Sequence, residues 1–199
     1  MIEAKIFIFP LHKEYMRLDD AIKRRHSTRR YSSHAVKWDR IVRILDAARL
    51  APYAGNLCTL RLILVSDRKL MQEIADTARQ DSLSQASSLI VVCSDPAIAI
   101  NAYGIRGYRY SRQQAGAAIE NMLLEITDLG LASCWIGAFD DNVIRKILGI
   151  PQDVEVEAIL PIAKKPMIRE SQRKKVPLNN ILFFDRYGKK ERFLSKMAR

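Results

Sequence analysis

The sequence predicts a single domain of mixed α and β structure, in which a sheet is covered by helices. The chain has 199 residues, long enough for one domain with a substantial core. Hydrophobic residues make up 48% of it and no long segment is dominated by Gly, Ser or Pro, so neither disorder nor a flexible interdomain linker is indicated. Segments with helical spacing of apolar residues alternate with short continuous apolar runs.

Two helices and a loop are predicted first. One helix begins near Asp19 or Asp20, either of which could cap it, and ends close to Ser27. A second helix follows, because apolar residues recur every three to four positions until Pro52 stops it, and residues 52–56 are therefore a loop. Those apolar residues are Trp38, Ile41, Val42, Leu45, Ala48 and Ala51.

The middle of the chain alternates strands and helices. Residues 60–65 indicate a strand, residues 67–79 a helix capped near Ser66, and residues 89–93 a continuous apolar strand. The longest helix runs from Ser111 to Leu129 and is expected to be the central core helix, with Gly130 after it. Its apolar face carries Ala115, Ala118, Ile119, Met122, Leu123 and Ile126.

A strand, a helix and a final strand complete the pattern. They span residues 133–138, 141–148 with Asp140 as the cap, and 156–162. Past Pro166 the chain is polar, basic and extended, and this unpaired tail needs something to pack against. A partner subunit is the natural candidate.

The sequence also limits location and covalent chemistry. The early apolar stretch Ile6 to Leu11 is far shorter than the roughly 20 residues that cross a bilayer, and its flanks do not resemble a signal peptide, so we expect a cytoplasmic protein without stable membrane association. The three cysteines have no Cys-x-x-Cys spacing, which argues against a disulfide framework or a metal site. We expect Cys58, Cys93 and Cys134 to be small buried hydrophobic residues.

The formal net charge of +11 is concentrated in three basic clusters, at residues 23–30, 164–175 and 189–199. Such clusters can bind nucleic acid, an anionic membrane surface or a phosphorylated small molecule, and composition does not choose among them. The first cluster, Arg24 to Tyr31, places guanidinium and hydroxyl groups where a helix gives way to a loop, an arrangement suited to phosphate oxygens. It is equally typical of a solvated helix end.

Two further segments have features of a site for a flat ring. In the loop of residues 52–56, Gly55 lets the backbone approach a planar ligand, and the Asn56 amide both donates and accepts, as the pyrimidine edge of a flavin requires. Gly137 and Ala138 stand at the predicted end of a strand before a helix, where small residues leave room for a ring and amides can point at an acceptor atom. An ordinary turn and a tightly packed strand end remain the alternatives.

In this order and at these intervals, the segments resemble the nitroreductase-like flavoprotein family. The resemblance extends from about Ala21 to Pro177, through RRHSTRRY, APYAGN, AGAAIENMLLEITDLGLASCWIGAF with the following ILGIP, and the basic stretch before VPL. It implies an FMN-binding α+β sandwich with a mostly antiparallel central sheet flanked by helices. It also implies a single domain over residues 1–199 in an intertwined homodimer with two FMN sites, the chain from about residue 166 extending over the partner.

The resemblance also implies which residues bind FMN. Residues of the first segment would hold the phosphate, and Arg29 would lie towards the ribityl chain and pyrimidine edge. The loop would line the flavin, and the amides of the third segment would face N5 and O4. Two basic residues of the tail would close on the phosphate. They are Arg25, His26, Ser27, Arg29, Pro52, Tyr53, Ala54, Gly55, Asn56, Gly137, Ala138, Arg173 and Lys175.

The implied activity is oxidoreduction on the flavin. NAD(P)H would deliver hydride to flavin N5, and a small organic acceptor such as a nitroaromatic or quinone would then take it in a ping-pong cycle. No catalytic side chain and no metal are expected, and His26 is assigned to phosphate contact. The sequence departs from the family pattern in two places: Asn56 is followed by Leu-Cys-Thr-Leu where many members have x-Gln-Pro-Trp, and Gln114 stands where Asp often precedes Ala-Gly. The first departure changes the usual wall of the flavin pocket.

Two alternatives to this activity remain. A flavin-binding or flavin-consuming protein without NAD(P)H turnover would carry the same motifs. A nucleic-acid-binding module is suggested by net charge alone; because the basic clusters lack interleaved aromatics and zinc-finger spacing, we expect no nucleic-acid partner.

Overall fold

A computed structural model describes residues 16–32, 34–166 and 175–190 of the chain. The chain divides into two compact units, Met1–Ile168 and Arg169–Arg199. The helices of the first unit are α1 (Leu18–Arg24), α2 (Trp38–Arg49), α3 (Arg68–Ala78), α4 (Ala97–Tyr103), α5 (Arg106–Asp128) and α6 (Asp141–Leu148). Its strands are β1 (Leu60–Val65), β2 (Ser88–Ser94), β3 (Leu131–Ala132) and β4 (Glu155–Lys164).

The four strands form one sheet in the order β1-β2-β4-β3, and every neighbouring pair is antiparallel. This confirms the expected α+β architecture with an antiparallel sheet. In the centre of the sheet, Val91 stands opposite Ile63 of β1 and Ile159 of β4. β2 is buried along its whole length, because strands flank it and helices cover both of its faces, which explains why its sequence is a continuous apolar run.

The sheet separates two hydrophobic cores. Because successive strand residues point to opposite faces, Ile90 and Val92 of β2 pack with α2 and α5, whereas Leu89 and Val91 pack with α3 and α6. The apolar face predicted for α5 is buried in the first core. We refer below to the α2–α5 face and the α3–α6 face.

Local signals explain where several helices begin. Asp140 caps α6 as predicted, accepting hydrogen bonds from the Asn142 and Val143 amides at 3.0 and 3.1 Å. The cap of α3 is Asp67, whose side chain accepts from the Leu70 amide at 2.9 Å, and the expectation of Ser66 was wrong by one residue. Among the described residues, no helix has both the length and the apolar character to span a membrane.

The structure corrects other expectations. α1 ends at Arg24 rather than near Ser27, because the next residues leave the helix to lie along the segment after β3. α5 begins at Arg106 rather than Ser111, and α4 was not predicted at all. α4 and α5 meet at Gly107, where a Cβ atom would overlap the backbone of α4.

The predicted strand over residues 133–138 does not form. β3 ends at Ala132, and of the following residues only Ile136 pairs with β4, through two hydrogen bonds with Ile159 at 3.1 and 2.9 Å. Gly137 and Ala138 therefore lie in irregular chain between this bridge and α6. Cys93 and Cys134 are buried as expected, whereas Cys58 is exposed.

The second unit is described over residues 175–190. It contains a short helix, α7 (Leu178–Ile181), where the tail was expected to be extended. Lys190 donates to the Asn179 carbonyl at 2.6 Å and lies 4.1 Å above the Phe183 ring, which closes the segment on itself. Apolar side chains nevertheless remain exposed: Val176, Leu178, Ile181 and Tyr187.

Candidate functional site

The basic segment after α1 is held in an extended conformation beside the chain that follows β3. The Thr28 amide donates to the Ser133 carbonyl at 2.9 Å, and Ser32 forms an isolated bridge with Lys164. Because an extended chain alternates its side chains, Thr28 is buried while Ser27 and Arg29 are exposed. The structure therefore presents the hydroxyl and the guanidinium predicted to contact FMN at the surface.

A pocket of about 10 Å³, with room for about one water molecule, lies under this segment, and apolar residues of α5 form part of its lining. Arg25, His26 and Thr28 line it from one side and Ser133 and Lys165 from the other. The Ser133 hydroxyl is buried and makes no hydrogen bond with any described residue. A buried hydroxyl without a partner costs free energy, so a ligand oxygen or a water molecule there would be favourable, and the surrounding cations favour an anionic oxygen.

Two basic side chains of the pocket already have partners. The Arg25 Nε atom lies 3.4 Å from Glu120 Oε1 of α5. His26 Nδ1 lies 2.8 Å from the Arg24 carbonyl oxygen, so that Nδ1 carries the proton and donates, which leaves Nε2 without a hydrogen bond to the described residues. The Arg25 side chain is 21% exposed and the Glu120 side chain 47% exposed. A phosphate group could therefore contact Arg25 beside Glu120, or replace Glu120 as its partner.

The loop of residues 52–56 forms a short 3₁₀ turn over Ala54–Asn56, and two consecutive residues adopt left-handed backbone angles. Gly55 has φ +57° and Asn56 has φ +58°. The second value is strained for a side chain with a Cβ atom, although Asn tolerates it better than most residues do. The Asn56 side chain is exposed and forms no hydrogen bond with the described residues, so its amide is available to a ligand.

Contacts on both sides hold this loop. The Tyr53 hydroxyl donates to the Arg49 carbonyl at the end of α2 at 2.6 Å, and burial, followed by a hydrogen bond with the Cys58 thiol, raises the pKa of this phenol. On the other side, the Tyr103 hydroxyl of α4 lies so close to Gly55 that a Cβ atom there would collide with it. Pro52 is exposed and Ala54 half-buried.

The chain after the loop is anchored to α5. Gln114 is buried, and its Oε1 atom accepts a hydrogen bond from the Thr59 amide at 2.7 Å and another from the Thr59 hydroxyl. Its Nε2 atom donates to the Leu57 carbonyl at 3.4 Å. Thr59, one of the residues at which this sequence departs from the family pattern, thus contacts the other departure, Gln114, directly.

The segment after β3 runs along α5. Trp135 is 42% exposed and packs beside Gly116, where a Cβ atom would lie 3.8 Å from the ring atom Cη2. Gly137 lines a polar cavity of about 530 Å³ together with Arg112. A Cβ atom on Gly137 would have no neighbour within 4 Å, so the space above its backbone is open.

These contacts make α5 the common support of the three predicted segments. Arg112, Gly116 and Glu120 recur every four residues and therefore lie on one ridge of the helix, which spans about 12 Å. Along this ridge stand Gly137, Trp135 and Arg25 in turn. The structure thus brings the first and third segments together along this ridge, whereas Gln114 ties the loop to the opposite side of the same helix.

The structure does not test the two phosphate contacts predicted from the tail. Lys175 is exposed in the second unit, and Arg173 lies outside the described residues. Within the described part of the chain, no three His, Cys, Asp or Glu side chains come together to hold a metal ion.

Sequence reasoning missed several residues of this site. Ser133 and Trp135 belong to one of the motifs that carry the family resemblance. They were not predicted as site residues because residues 133–138 were expected to form a strand, which does not form. Lys165 follows a predicted strand, and Tyr103 belongs to the unpredicted α4. Thr59 carried no usable signal, because a polar residue before an apolar strand looks like an ordinary loop residue in the sequence.

A second polar cluster and an apolar groove lie on the opposite side of α5 from this ridge. Arg43 of α2 contacts Glu125 at 2.5 Å and Asp128 at 3.3 Å. Burial raises the pKa of the Glu125 carboxyl, and Arg43 partly opposes that shift. The neighbouring groove is lined by apolar residues such as Leu18 and Leu50, each about two-thirds exposed (67% and 65%).

Comparison with known proteins shows which family and which solved structures this chain resembles. Residues 22–164 match the Nitroreductase family. A protein of Archaeoglobus fulgidus named as an NADH dehydrogenase/NAD(P)H nitroreductase is 34% identical over 143 residues, covering 69% of this chain and 79% of its own. A Methanothermobacter thermautotrophicus protein of the same name is 30% identical over 159 residues, covering 76% and 80%. Among solved structures, a nitroreductase family protein of Clostridium difficile 630 superposes with a TM-score of 0.76 at 26% identity, over 86% of this chain and 99% of its own.

Proposed function

The chain belongs to the nitroreductase family and is an oxidoreductase, and from this premise we propose that it binds FMN and passes hydride from NAD(P)H to a small organic acceptor. The acceptor class we propose is a nitroaromatic, a quinone or a related compound, reduced in a ping-pong cycle. When bound, FMN supplies the atom that accepts and returns the hydride, its N5.

The observation that carries the proposal is the meeting of the first and third sequence segments along one ridge of α5. A cationic pocket with a partnerless buried hydroxyl, Ser133, lies at one end of the ridge, and an open space above Gly137 lies at the other. A ligand with an anionic end and a planar end fits that distribution of charge and space. FMN has both.

The residues at the cationic end suit a phosphate. Arg25 can form a charged forked contact, the Ser27 hydroxyl can donate, and His26 presents its free ring nitrogen. Lys175 and Arg173 are proposed to close on the same group. Ser133 and Lys165 extend this set, because they line the same pocket.

The residues at the planar end orient the ring. The Gly137 and Ala138 amides are exposed in irregular chain and can donate to acceptor atoms at N5 and O4. Asn56 can pair with the pyrimidine edge, with Tyr53 and the rest of the loop as its wall. A cation at Arg29 would stabilise negative charge on that edge and so favour the reduced ring.

Exposed apolar surface supports the proposed homodimer. The groove beside α5 exposes Leu18 and Leu50, and residues 175–190 expose Leu178, Ile181 and Tyr187. Apolar patches of this kind are typical of surfaces that a partner covers. We propose a cytoplasmic homodimer on this basis and on family membership.

The test is spectroscopic. The purified protein is expected to show flavin absorption or to acquire it when FMN is added, and the bound flavin should bleach without oxygen on addition of NADH or NADPH. A quinone or nitroaromatic should then restore the colour. A chain that takes up no FMN in excess contradicts the proposal, whereas uptake without bleaching by either nucleotide would leave a flavin-binding protein that lacks reductase turnover.

A further inference from the structure

Gln114 occupies a position that the proposed function leaves without a role. It is only 4% exposed. It lies on α5 between two buried residues, Ser111 one turn before it and Ala118 one turn after it. A buried side-chain amide is retained at low cost only when its hydrogen bonds are made. Among the described residues, the side chain of Gln114 hydrogen-bonds only within residues 57–59, directly after the loop that presents Asn56.

Thr59 makes two of these hydrogen bonds. Thr59 offers two donors, its amide and its hydroxyl, and both reach the same Oε1 atom of Gln114. Thr59 is itself 2% exposed, so neither donor has water as a substitute. The Thr59 carbonyl accepts from the Asp95 amide at 2.8 Å, which ties the same residue to the end of β2.

The loop needs such an anchor. Its left-handed residues, Gly55 and Asn56, cost conformational energy, and a loop in that state persists only when its surroundings fix both of its ends. Tyr53 fixes the side towards α2 through the Arg49 carbonyl. Gln114 fixes the other side, at a distance of three residues from Asn56.

We propose that Gln114 is a positioning residue of the flavin site, which holds the backbone after Asn56 so that the Asn56 amide meets the pyrimidine edge of FMN. The inference rests on the proposed function and goes beyond it by assigning a residue that does not touch the cofactor. It also gives Thr59 a role, since its amide and hydroxyl both donate to Gln114 and a proline at residue 59 would supply neither donor.

The experiment measures FMN affinity and flavin midpoint potential in the full-length protein. Gln114→Met keeps the size of the side chain and removes the acceptor; we expect the FMN dissociation constant to rise about 10-fold, which equals about 1.4 kcal/mol, and the midpoint potential to shift. Gln114→Glu keeps an oxygen for both Thr59 donors and is expected to restore most of the affinity. Thr59→Val removes one of the two donors and should give a smaller increase, of about threefold.

Two control variants separate positioning from general destabilisation. Ser111→Ala removes a buried hydroxyl one turn away on α5 whose hydrogen bond stays within the helix, at 2.9 Å to the Gly107 carbonyl. Ile74→Val loosens the core on the α3–α6 face. Both should leave the dissociation constant and the potential within about twofold and a few millivolts of the wild type.

The outcomes distinguish a failure of this inference from a failure of the proposed function. Wild-type uptake of FMN with unchanged affinity and potential in Gln114→Met overturns the inference alone. Equal weakening in the Ile74→Val control also overturns it, because the effect would then be one of stability. A wild-type chain that takes up no FMN overturns the proposed function and, with it, this inference. If Gln114→Met fails to fold, Thr59→Val and Gln114→Glu decide the question by the same readouts.

Discussion

The two faces of the sheet are built for different purposes. On the α3–α6 face the largest buried side chains are apolar and have no solvent exposure, among them Met71, Ile74 and Ile144. On the α2–α5 face an apolar core is combined with buried polar groups, among them Thr59 and Gln114. The comparison teaches that the α3–α6 face mainly supplies stability, with Arg145 of α6 as its buried charged group, whereas the α2–α5 face both packs apolar side chains and positions polar groups.

A single helix performs both tasks on the second face. Ile119 and Met122 of α5 are almost fully buried in the core. Arg112, Gly116 and Glu120 stand on the ridge that faces the first and third predicted segments. Because a rigid helix of 23 residues carries both sets, packing on one side fixes the geometry of the site on the other. The faces should therefore respond differently to substitution.

The largest effect is expected from a cavity on the α3–α6 face. Ile74→Ala removes apolar volume from a fully buried position and should lower the free energy of unfolding by about 2–5 kcal/mol. FMN affinity of the folded protein should not change, because Ile74 lies on the far side of the sheet from α5. Urea unfolding and an FMN titration measure the two quantities. A loss of affinity larger than the unfolded fraction accounts for would contradict the division between the faces.

The next effect belongs to the cationic end of the site. Arg25→Ala should weaken FMN binding by about 1.5–3 kcal/mol, roughly 10-fold to 150-fold, because a charge-assisted contact with phosphate is lost. Riboflavin, which lacks the phosphate, should bind wild type and variant equally. Lys146→Ala is the matched control, since it removes one exposed positive charge from α6 on the other face. If riboflavin binding falls as much as FMN binding, Arg25 does not contact the phosphate.

The same comparison shows which parts of the fold the sequence could predict. β1, β2, β4 and α6 were found because their signals are local: continuous apolar runs, or a capping Asp140 followed by an apolar period. α4 was missed because its contact with α5 depends on the absence of a Cβ atom at Gly107. The strand expected over residues 133–138 failed because backbone partners outside the segment decide pairing, and Thr28 takes the Ser133 carbonyl.

Part of the candidate site could also be predicted from the sequence. The first and third segments were recognised from residue types that suit phosphate or a flat ring, and the structure brings both to α5. The contact between Gln114 and Thr59 could not be predicted, because 55 residues separate the partners and each looks like an ordinary polar residue in the sequence. Whether the predicted residues bind FMN stays a prediction for the titrations above.

A smaller effect is expected where the loop stores strain. Gly55→Ala adds a Cβ atom at a left-handed φ and against the Tyr103 hydroxyl, which should cost about 1–2 kcal/mol in unfolding free energy and weaken FMN binding. Tyr103→Phe in the same chain removes the colliding oxygen, so the double variant should regain part of that loss. A double-mutant cycle measures the coupling. Additive effects of the two substitutions would mean that Tyr103 does not limit the loop.

The smallest effect concerns the pH dependence contributed by Glu125, on the side of α5 that faces α2. Burial raises the pKa of this carboxyl above its unfolded value, with Asp128 and Asp46 adding to the shift and Arg43 opposing it. The folded state therefore binds a proton more tightly than the unfolded chain does, so the stabilisation is fully present below the unfolded pKa, about 4.3, and is lost as pH rises through the raised value. Glu125→Gln cannot titrate, so the stability difference between wild type and variant should fall over that interval and be flat above it. Urea unfolding from pH 4 upward measures this, and a difference that rises with pH would show that the ion pair with Arg43 outweighs burial at this position.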